Sequence, residues 1–406
     1  MLSTPRSYPV AGGDTGVGSV GCLLVQCDYF DAGVCRSCTR MGTPYERQLD
    51  DKQAGVAATL AGVVPAGAWA PAQASPESGF RNKAKLAVGG RPGEVTLGIL
   101  DGDRRGVDLR HCGLHEPALH AALPLLADAV DDLRLEPYDV PTRRGELKYL
   151  LVTRSPDGEL MLRVVLRTDR DLERVRAAVP VLRERLPHLR VVTVNLHPEH
   201  KAVLEGDTEV VLTEGPQGAD LPMRLAGLTL HLPPRSFFQT NTAVGAALYE
   251  QARAWVDEAS PREVLDLYCG VGGFALAAAT ATRAPEVVRG VEVSAEAVDG
   301  ARRSAAELGL PRIRFEAGDV DVADPDLLGD ADLVVVNPPR RGIGALAPAI
   351  ERSGVRHVVY SSCQAASLAR DLAAMPSYGV RAARLFDMFP QTGHHEVAVR
   401  LERERA

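Results

Sequence analysis

The apolar residues of this chain follow two different periods, and the change between them divides the sequence. From Val264 onward, short apolar runs of strand length alternate with segments of helical period. Strands that alternate with helices in this way predict a parallel sheet covered on both faces. The predicted strands are VLDLYCG, VVRGVEV, RIRFEAG, DLVVVNPPR and RHVVYSS, and a last helix is expected from Ala365 to Ala374. We therefore expect a doubly wound α/β domain in this part of the chain.

The middle of the chain is patterned as half-buried strands. Residues 146–154 and 159–167 form two of them, joined by an Asp-Gly pair at 157–158 that is typical of hairpin turns. An amphipathic helix is expected at 171–189, followed by strands in VVTVNLHP, KAVLEGD and EVVLTEG. This pattern predicts an antiparallel sheet with one helix, which makes an α+β module.

The N-terminal part predicts a helix from Tyr45 to Ala61 and then a strand in GFRNKAKLAVGG. The first 21 residues lack the charged head and apolar block of a secretory signal, so we expect a disordered extension there. No apolar run approaches the ~18 residues of a membrane span. The expected organisation is an extension at 1–21, a cysteine-bearing segment at 22–115, the α+β module at 116–234 and the α/β domain at 235–406.

Length and charge narrow the class of protein. A chain of 406 residues suits two or three domains. The net charge of -7 is unfavourable for a nucleic-acid partner, although residues 81–85 and 143–148 are locally basic. Each basic cluster suits either a nucleic-acid strip or a solvated face. Seven cysteines without a signal sequence indicate reduced thiols and a cytoplasmic protein.

Four of the cysteines have the spacing of a metal site. Cys27, Cys35 and Cys38 are separated by seven and then two residues, and Cys112 follows after a gap of 73. Thiolates are the soft ligands shared by zinc and iron-sulfur clusters, so the spacing by itself leaves the choice open. Cys22 lies outside the pattern.

Polar residues follow three of the predicted parallel strands. A Gly-x-Gly-Gly turn at 270–273 lets the backbone approach a ligand, and Glu292 ends the next strand, 26 residues after Asp266. A carboxylate there can accept hydrogen bonds from ribose hydroxyls. A dinucleotide oxidoreductase would share the turn, but the Asn-Pro-Pro that begins at Asn337 favours S-adenosylmethionine. The same tripeptide also suits an ordinary strand-ending turn.

Cys363 directly follows the strand RHVVYSS and precedes the last helix. Ligands of open α/β sheets bind beyond the carboxyl ends of the strands. A thiol at this place is either a small buried filler or a nucleophile presented to a substrate.

Several long motifs together resemble those of the bacterial uracil-C5 RNA methyltransferases, and more narrowly the branch that modifies 23S ribosomal RNA. The resemblance covers roughly residues 26–401. It rests on QCDYFDAGVCRSC, GFRNKAK, RRGELKYLL, PRSFFQTN, LDLYCGVGGF, NPPRRGIG, YSSC and LFDMFPQTGHHEV. It implies a class I, Rossmann-like methyltransferase domain with an N-terminal iron-sulfur segment and an α+β central domain that binds RNA. The expected partner is 23S rRNA, with no membrane and no obligate protein partner.

The resemblance also implies roles for individual residues. A [4Fe-4S] cluster would be held by Cys27, Cys35, Cys38 and Cys112. S-adenosyl-L-methionine would contact Gln239, Tyr268, Glu292 and Asn337, and Tyr268 stands where the branch usually has phenylalanine. Cys363 would be the nucleophile, Glu396 the general base, and Phe237 an aromatic residue near the target base. Gln391 and His395 stand where close relatives carry other residues, so the resemblance does not define the polar network around the general base Glu396.

This chemistry needs these groups because C5 of uracil is a weak nucleophile. A thiolate that adds to C6 makes C5 enolate-like, and a carboxylate must later remove the C5 proton. Residue patterns alone would make Glu396 an exposed strand residue and the Phe237-Phe238 pair core. Two other functions fit the sequence: the same chemistry on another rRNA or tRNA uridine, or an RNA-binding or iron-sensing protein with an inactive catalytic domain.

Overall fold

The computed structural model describes residues 24–201, 203–213, 219–320 and 327–404. The predicted extension at 1–21 and Cys22 lie outside these ranges. The helices are α1 (Asp28–Asp31), α2 (Tyr45–Leu60), α3 (Pro117–Asp132), α4 (Leu172–Arg185), α5 (Thr242–Ala259), α6 (Gly273–Ala279), α7 (Ala295–Glu307), α8 (Leu346–Arg352) and α9 (Ala365–Ala373). No helix within these ranges is long and apolar enough to cross a bilayer.

The strands form two seven-stranded sheets and one hairpin. The first sheet contains β1 (Lys83–Arg91), β2 (Glu94–Leu100), β3 (Gly106–Asp108), β4 (Leu147–Arg154), β5 (Leu160–Leu166), β6 (Leu189–Leu196) and β7 (Thr208–Val211). The hairpin is β8 (Leu221–Leu225) and β9 (Leu228–Leu232). The second sheet contains β10 (Glu263–Leu267), β11 (Val287–Glu292), β12 (Ile313–Ala317), β13 (Leu333–Val336), β14 (His357–Ser362), β15 (Tyr378–Phe386) and β16 (Glu396–Arg403).

The C-terminal sheet has the order β12-β11-β10-β13-β14-β16-β15. Its first five strands are parallel, which confirms the prediction from their apolar runs. β16 inserts antiparallel between β14 and β15. Apolar cores fill both faces, with Val264 in one and Leu265 in the other. Alternate residues of each buried strand therefore serve different cores, as expected for a sheet covered on both sides.

The central sheet has the order β3-β2-β1-β4-β5-β6-β7, and α3 and α4 pack on one of its faces. The prediction of an all-antiparallel sheet was wrong at one pair, because β5 and β6 are parallel. The helix α4 lies between them in the chain, and a crossover helix returns the chain to the same end of the sheet.

The strand predicted at KAVLEGD is also absent from residues 201 and 203–207, the described part of that stretch. Gly206 gives the physical reason, since both its N–H and its carbonyl bond to the side chain of Asn195. A Cβ at Gly206 would come within 2.0 Å of the Leu196 carbonyl oxygen, so the loop folds back tightly on the end of β6. The apolar residues of this stretch therefore do not pair with a neighbouring strand.

The segment at 22–115 is shared between the two sheets. Strands β1 to β3 lie in the central sheet beside β4, whereas α2 packs on α9 and adds Val56 and Leu60 to a core of the C-terminal domain. Asn82, just before β1, ties the sheets together. Its side-chain amide donates to the Gln239 carbonyl at 3.0 Å and to the Thr242 hydroxyl at 3.0 Å. The first residues of β1 therefore lie against the start of the C-terminal domain.

Candidate active site

The carboxyl ends of three parallel strands bring three of the predicted ligand residues to one edge of the sheet. Leu267 of β10 is level with Val291 of β11 and with Val336 of β13. The next residues along these strands are Tyr268, Glu292 and Asn337, so they follow one another across the edge. The structure therefore places these three residues side by side.

The turn after β10 is shaped by left-handed backbone. Tyr268, Gly270 and Gly272 have φ of 60°, 54° and 84°. A Cβ at Gly270 would meet nothing within 4 Å, so that glycine faces open space. At Gly272 a Cβ would come within 2.7 Å of the Phe315 ring, so this glycine permits the close packing of turn and sheet.

Glu292 is oriented by two backbone donors. Its Oε2 accepts from Gly270 N at 3.1 Å and its Oε1 from Ser294 N at 2.9 Å. Each carboxylate oxygen has lone pairs left for a further donor. The carboxylate is thus fixed at the glycine turn and still able to accept hydrogen bonds from hydroxyl groups.

Asp266 is a site residue that the sequence analysis did not assign. It lies fully buried within β10, and one oxygen accepts from Ala275 N at 2.8 Å, while the other has no partner among the described residues. Burial, together with the nearby charge of Glu292, raises its pKa to about 8. A carboxylate in the middle of the apolar run VLDL was the signal that could have identified it.

Cys363 and Glu396 meet at the junction of β14 and β16. Ser362 pairs with Val397, and Cys363 and Glu396 are the next residue along each strand, so the register brings them together. Their side chains interact electrostatically, since the charge of Glu396 raises the pKa of the Cys363 thiol. The two residues, 33 positions apart in the chain, therefore share one site.

The thiol and the carboxyl group have different surroundings. Burial is the main cause that raises the pKa of Cys363, and the Arg340 guanidinium opposes it through its charge and a hydrogen bond. The Glu396 side chain is only 4% exposed, and burial raises its pKa to about 7. The Ser361 hydroxyl donates to Glu396 Oε1 at 2.6 Å. Arg340 and Ser361 were not assigned roles from the sequence.

The two phenylalanines of PRSFFQTN separate. Phe238 is 3% exposed and joins the core, whereas Phe237 is 69% exposed. Gln239 is buried, and Asn241, two residues on, caps α5 and donates to the Met388 carbonyl at 3.4 Å. This segment therefore reaches the stretch of chain that leads to Glu396.

That stretch is fixed by α2. The Gln391 backbone N–H donates to Gln48 Oε1 at 3.0 Å, and Gln48 Nε2 donates to Gln391 Oε1 at 2.9 Å. Lys52 forms a buried ion pair with Asp387 at 2.5 Å. His395 turns its Nδ1 to the Gly393 carbonyl at 3.2 Å, and burial lowers its pKa. The side chain and backbone of Gln391 are thus bound to α2, whereas the His395 ring bonds its own loop.

The four patterned cysteines converge from two parts of the chain. Burial, together with the neighbouring Cys112, Cys35 and Cys27, raises the pKa of Cys38 to about 11. The positive charge of Arg81 acts in the opposite direction. Among the described residues, no three or more His, Cys, Asp or Glu side chains are arranged so as to hold a metal ion.

Three comparisons place these features among known proteins. Residues 243–356 match the family model of the methyltransferase small domain. The 23S rRNA (uracil(747)-C(5))-methyltransferase RlmC of Halothiobacillus neapolitanus is 46% identical over 389 residues, which are 94% of this chain and 100% of that protein. The protein of the same name from Edwardsiella ictaluri is 44% identical over 385 residues, again 94% of this chain and 100% of that protein.

A solved structure shares the fold. The crystal structure of Pyrococcus abyssi tRNA (uracil-54, C5)-methyltransferase in complex with S-adenosyl-L-homocysteine superposes with a TM-score of 0.73. It covers 90% of this chain and 85% of the other, at 22% sequence identity. The C-terminal sheet described above is therefore a class I methyltransferase fold.

Proposed function

Because this chain belongs to the RlmC family of 23S rRNA (uracil-C5)-methyltransferases, we propose that it methylates C5 of the uridine in 23S rRNA that corresponds to uracil 747. The methyl donor is S-adenosyl-L-methionine, in agreement with the class I methyltransferase fold. The observation that carries the proposal is the register that joins Cys363 to Glu396 beside the cofactor edge of the sheet.

Cys363 supplies the nucleophile. Its sulfur forms a bond to C6 of the uracil, and the electron pair of the C5–C6 double bond moves toward C5 and the adjacent carbonyl. The methyl group then passes to C5 as an electrophile. Addition needs the thiolate, and burial works against it, so the Arg340 guanidinium has the role of holding the charged sulfur.

Glu396 completes the reaction. After methyl transfer C5 still bears its proton, which Glu396 takes as the Cys363–C6 bond breaks and the double bond returns. A pKa of about 7 suits a base that must accept this proton and release it near neutral pH. The Ser361 hydroxyl orients the carboxylate through its hydrogen bond.

The cofactor edge and the exposed aromatic ring complete the site. Glu292 is placed to accept the ribose hydroxyls, Gly270 leaves space for a ligand, and Tyr268, Asn337 and Gln239 are the remaining proposed contacts. The target base must leave its stack to reach Cys363, and the ring of Phe237 is free to stack on it.

The N-terminal cysteines are the proposed ligands of a [4Fe-4S] cluster. What supports this is the convergence of four soft ligands from two chain segments, together with Arg81, whose charge favours the thiolates of Cys38 and Cys112. A zinc ion would accept the same ligands. Because neither metal is needed for the steps assigned to Cys363 and Glu396, the proposed task of the cluster is to join residues 27–38 to the start of the central module.

The proposed function is tested by methylation of a 23S rRNA transcript with S-adenosyl-L-methionine and mapping of 5-methyluridine by mass spectrometry. We expect one product site in the wild-type reaction, at the equivalent of uracil 747. Cys363→Ala should lose activity by several orders of magnitude, because no adduct forms. Glu396→Gln should accumulate a covalent protein–RNA adduct that withstands denaturing electrophoresis, because the C5 proton stays in place.

Calorimetric binding of S-adenosyl-L-methionine by both variants is the control for folding. A product at a different rRNA or tRNA uridine would establish the same chemistry on another target. Methylation by Cys363→Ala at the wild-type rate would contradict the mechanism. A wild-type protein that binds no S-adenosyl-L-methionine would instead favour an inactive catalytic domain.

A further inference from the structure

Lys85 of β1 and Tyr149 of β4 lie on one face of the central sheet. Lys85 of β1 pairs with Leu151 of β4, and Ala87 pairs with Tyr149. The alternate positions of these strands, such as Leu86 and Leu150, pack into the core under α3 and α4. Since directly paired residues share a face of the sheet, Lys85 and Tyr149 lie on the face away from the helices.

A cavity of about 390 Å³ opens at the end of this face. Its cationic lining consists of Arg104, Arg143, Lys148 and Lys201, and its aromatic lining of Tyr138 and Tyr149. No carboxylate belongs to the described residues that line it. A concave site with cations and two phenol rings has the chemistry that binds a nucleotide, because the rings stack on a base and the cations attract its phosphate.

The floor of the cavity is held in place by its own contacts. Lys148 is buried, donates to the Glu199 carbonyl at 2.6 Å and lies 4.9 Å from the centre of the Tyr138 ring. The Tyr138 hydroxyl bonds His200 Nδ1 at 2.9 Å. Burial and the charge of Arg167 lower the pKa of Lys148 to about 8. The positive charge of Lys148 is therefore poorly compensated in the folded protein, and an anion bound in the cavity would stabilise it.

The two arginines at the rim are available for a ligand. Among the described residues, neither the Arg104 nor the Arg143 guanidinium has a hydrogen-bond acceptor or an ion-pair partner, whereas Lys201 pairs with Glu199. Both arginines have left-handed backbone, with φ of 62° and 58°. Such strain in a residue other than glycine is typical of positions kept for their side chain.

The position of the cavity relates it to the catalytic site. Tyr149 lies four residue pairs from the Lys83 and Thr153 pair, so the cavity stands about 14 Å along the sheet from that end. Asn82, next to Lys83, bonds the segment that contains Gln239. The half-exposed Lys83 and the exposed Lys85 lie between the two sites on the same face. A strand of RNA that entered the catalytic site could follow this cationic face to the cavity.

We propose that the cavity lined by Tyr138, Tyr149, Arg104 and Arg143 binds an unpaired nucleotide of the RNA that flanks the target uridine. The base stacks on Tyr149, because Tyr138 is buried with Lys148 over its ring, and the adjacent phosphates contact the two arginines. This inference rests on the proposed function and adds to it a second point of RNA recognition outside the methyltransferase domain. It also explains how an acidic protein, of net charge -7, binds RNA through a local cationic face.

The first test reverses charge at the rim. A fluorescein-labelled RNA hairpin that carries the target uridine and its flanks is titrated with full-length protein, and Kd is measured by anisotropy at several salt concentrations. We expect R104E/R143E to raise Kd at least about tenfold, and to reduce the slope of log Kd against log salt by roughly one to two, as for the loss of two phosphate contacts.

The matched control is R174E/R176E on α4. It makes the same change in net charge on two exposed arginines, but on the helix that covers the opposite face of the sheet. Its Kd should stay within about twofold of wild type. R174E/R176E should also methylate at the wild-type single-turnover rate, because neither arginine lies at the proposed RNA site.

The second test addresses stacking. Tyr149→Ala should weaken RNA binding by roughly 5- to 100-fold, the range for loss of one stacked base, and Tyr149→Phe should bind as wild type. If Tyr149→Ala does not fold, the Kd values of the arginine variants alone test the inference. A Kd for R104E/R143E no higher than that of R174E/R176E would overturn the inference. A wild-type protein that methylates no uridine would instead overturn the proposed function.

Discussion

One buried carboxyl group, that of Glu396, carries a charge that the folded protein disfavours. Its pKa rises from 4.5 to about 7, with burial as the cause and the Ser361 hydrogen bond as a partial offset. Folding therefore favours the protonated acid. Stability from this residue is fully present below pH 4.5 and is lost as the pH rises through about 7.

We therefore predict that Glu396→Gln stabilises the protein at pH 8 and has little effect at pH 4.5. The amide resembles the neutral acid and carries no charge to bury. The pKa difference corresponds to at most about 3 kcal/mol in the free energy of unfolding, an order-of-magnitude figure. Urea denaturation at the two pH values measures it, and Glu404→Gln, an exposed carboxylate on the same C-terminal stretch, is the control. An equal effect of Glu396→Gln at both pH values would contradict the assigned pKa.

The exposure of Phe237 and of Cys363 distinguishes between roles that the residue types alone leave open. Phe237 is exposed where its neighbour Phe238 is core, so only one of the two rings can meet a substrate. Cys363 is half-buried beside Arg340 and Glu396, which rules out the simple filler that a lone cysteine suggests. Chemistry at this site therefore depends on groups that no local motif brings together.

At the scale of elements, α2 supports the segment from Asp387 to Glu396. Lys52 donates to Asp387 and to the Phe389 carbonyl, and Gln48 bonds Gln391 in both directions. The helix thus provides hydrogen-bond partners for backbone groups of a stretch that has no regular secondary structure. We infer that α2 sets where Glu396 points.

We predict that Lys52→Met destabilises the protein by roughly 3 to 5 kcal/mol, because it leaves the fully buried Asp387 charge uncompensated. The double variant Lys52→Met with Asp387→Leu should recover most of this loss, since an apolar pair needs no charge partner. Chemical denaturation of both variants checks the energies. The single variant should also slow the breakdown of the covalent RNA adduct, in which Glu396 acts. If the single and double variants are equally stable, the pair is not an energetic unit.

At the scale of the whole molecule, the N-terminal segment connects both sheets to the active site. Cys112 follows β3 of the central sheet, and Cys27, Cys35 and Cys38 precede α2. Arg40, two residues after Cys38, donates its N–H to the Gln391 carbonyl at 2.9 Å. A metal centre on the four thiols would therefore link the central sheet to the segment that carries Glu396.

We predict that wild-type protein prepared without oxygen is coloured by iron-sulfide charge transfer and that Cys112→Ser is not. The metal crosslink closes a loop of 73 residues between Cys38 and Cys112. Its loss should lower the free energy of unfolding by roughly 4 kcal/mol, the loop-closure contribution of a crosslink of this span. The Tm of Cys112→Ser should fall accordingly. Cys363→Ser changes a cysteine that is not one of the proposed cluster ligands, so this variant should keep the colour. A colourless wild-type protein that contains zinc would contradict the cluster.

Much of the C-terminal domain could be predicted from the sequence. Strand and helix periods depend on neighbouring residues, so the five parallel strands, the glycine turn and the polar residues after each strand were evident before the structure. The central sheet was predicted less well, since the direction of β6 and the loop at 203–207 depend on how distant strands pair. Ser361, Arg340 and Asp266 were missed because their roles arise from contacts and burial that no motif announces.

The amino-acid sequence alone specified the alternation of strands and helices and the spacing of the cysteines, because these are properties of the local chain. The tertiary structure was needed to show that Glu396 is buried beside Cys363, that α2 holds the segment before it, and that Arg104 and Arg143 line one cavity with Tyr149. Pairing register and burial arise from contacts between residues far apart in the chain, and a local pattern does not specify which distant residues will meet.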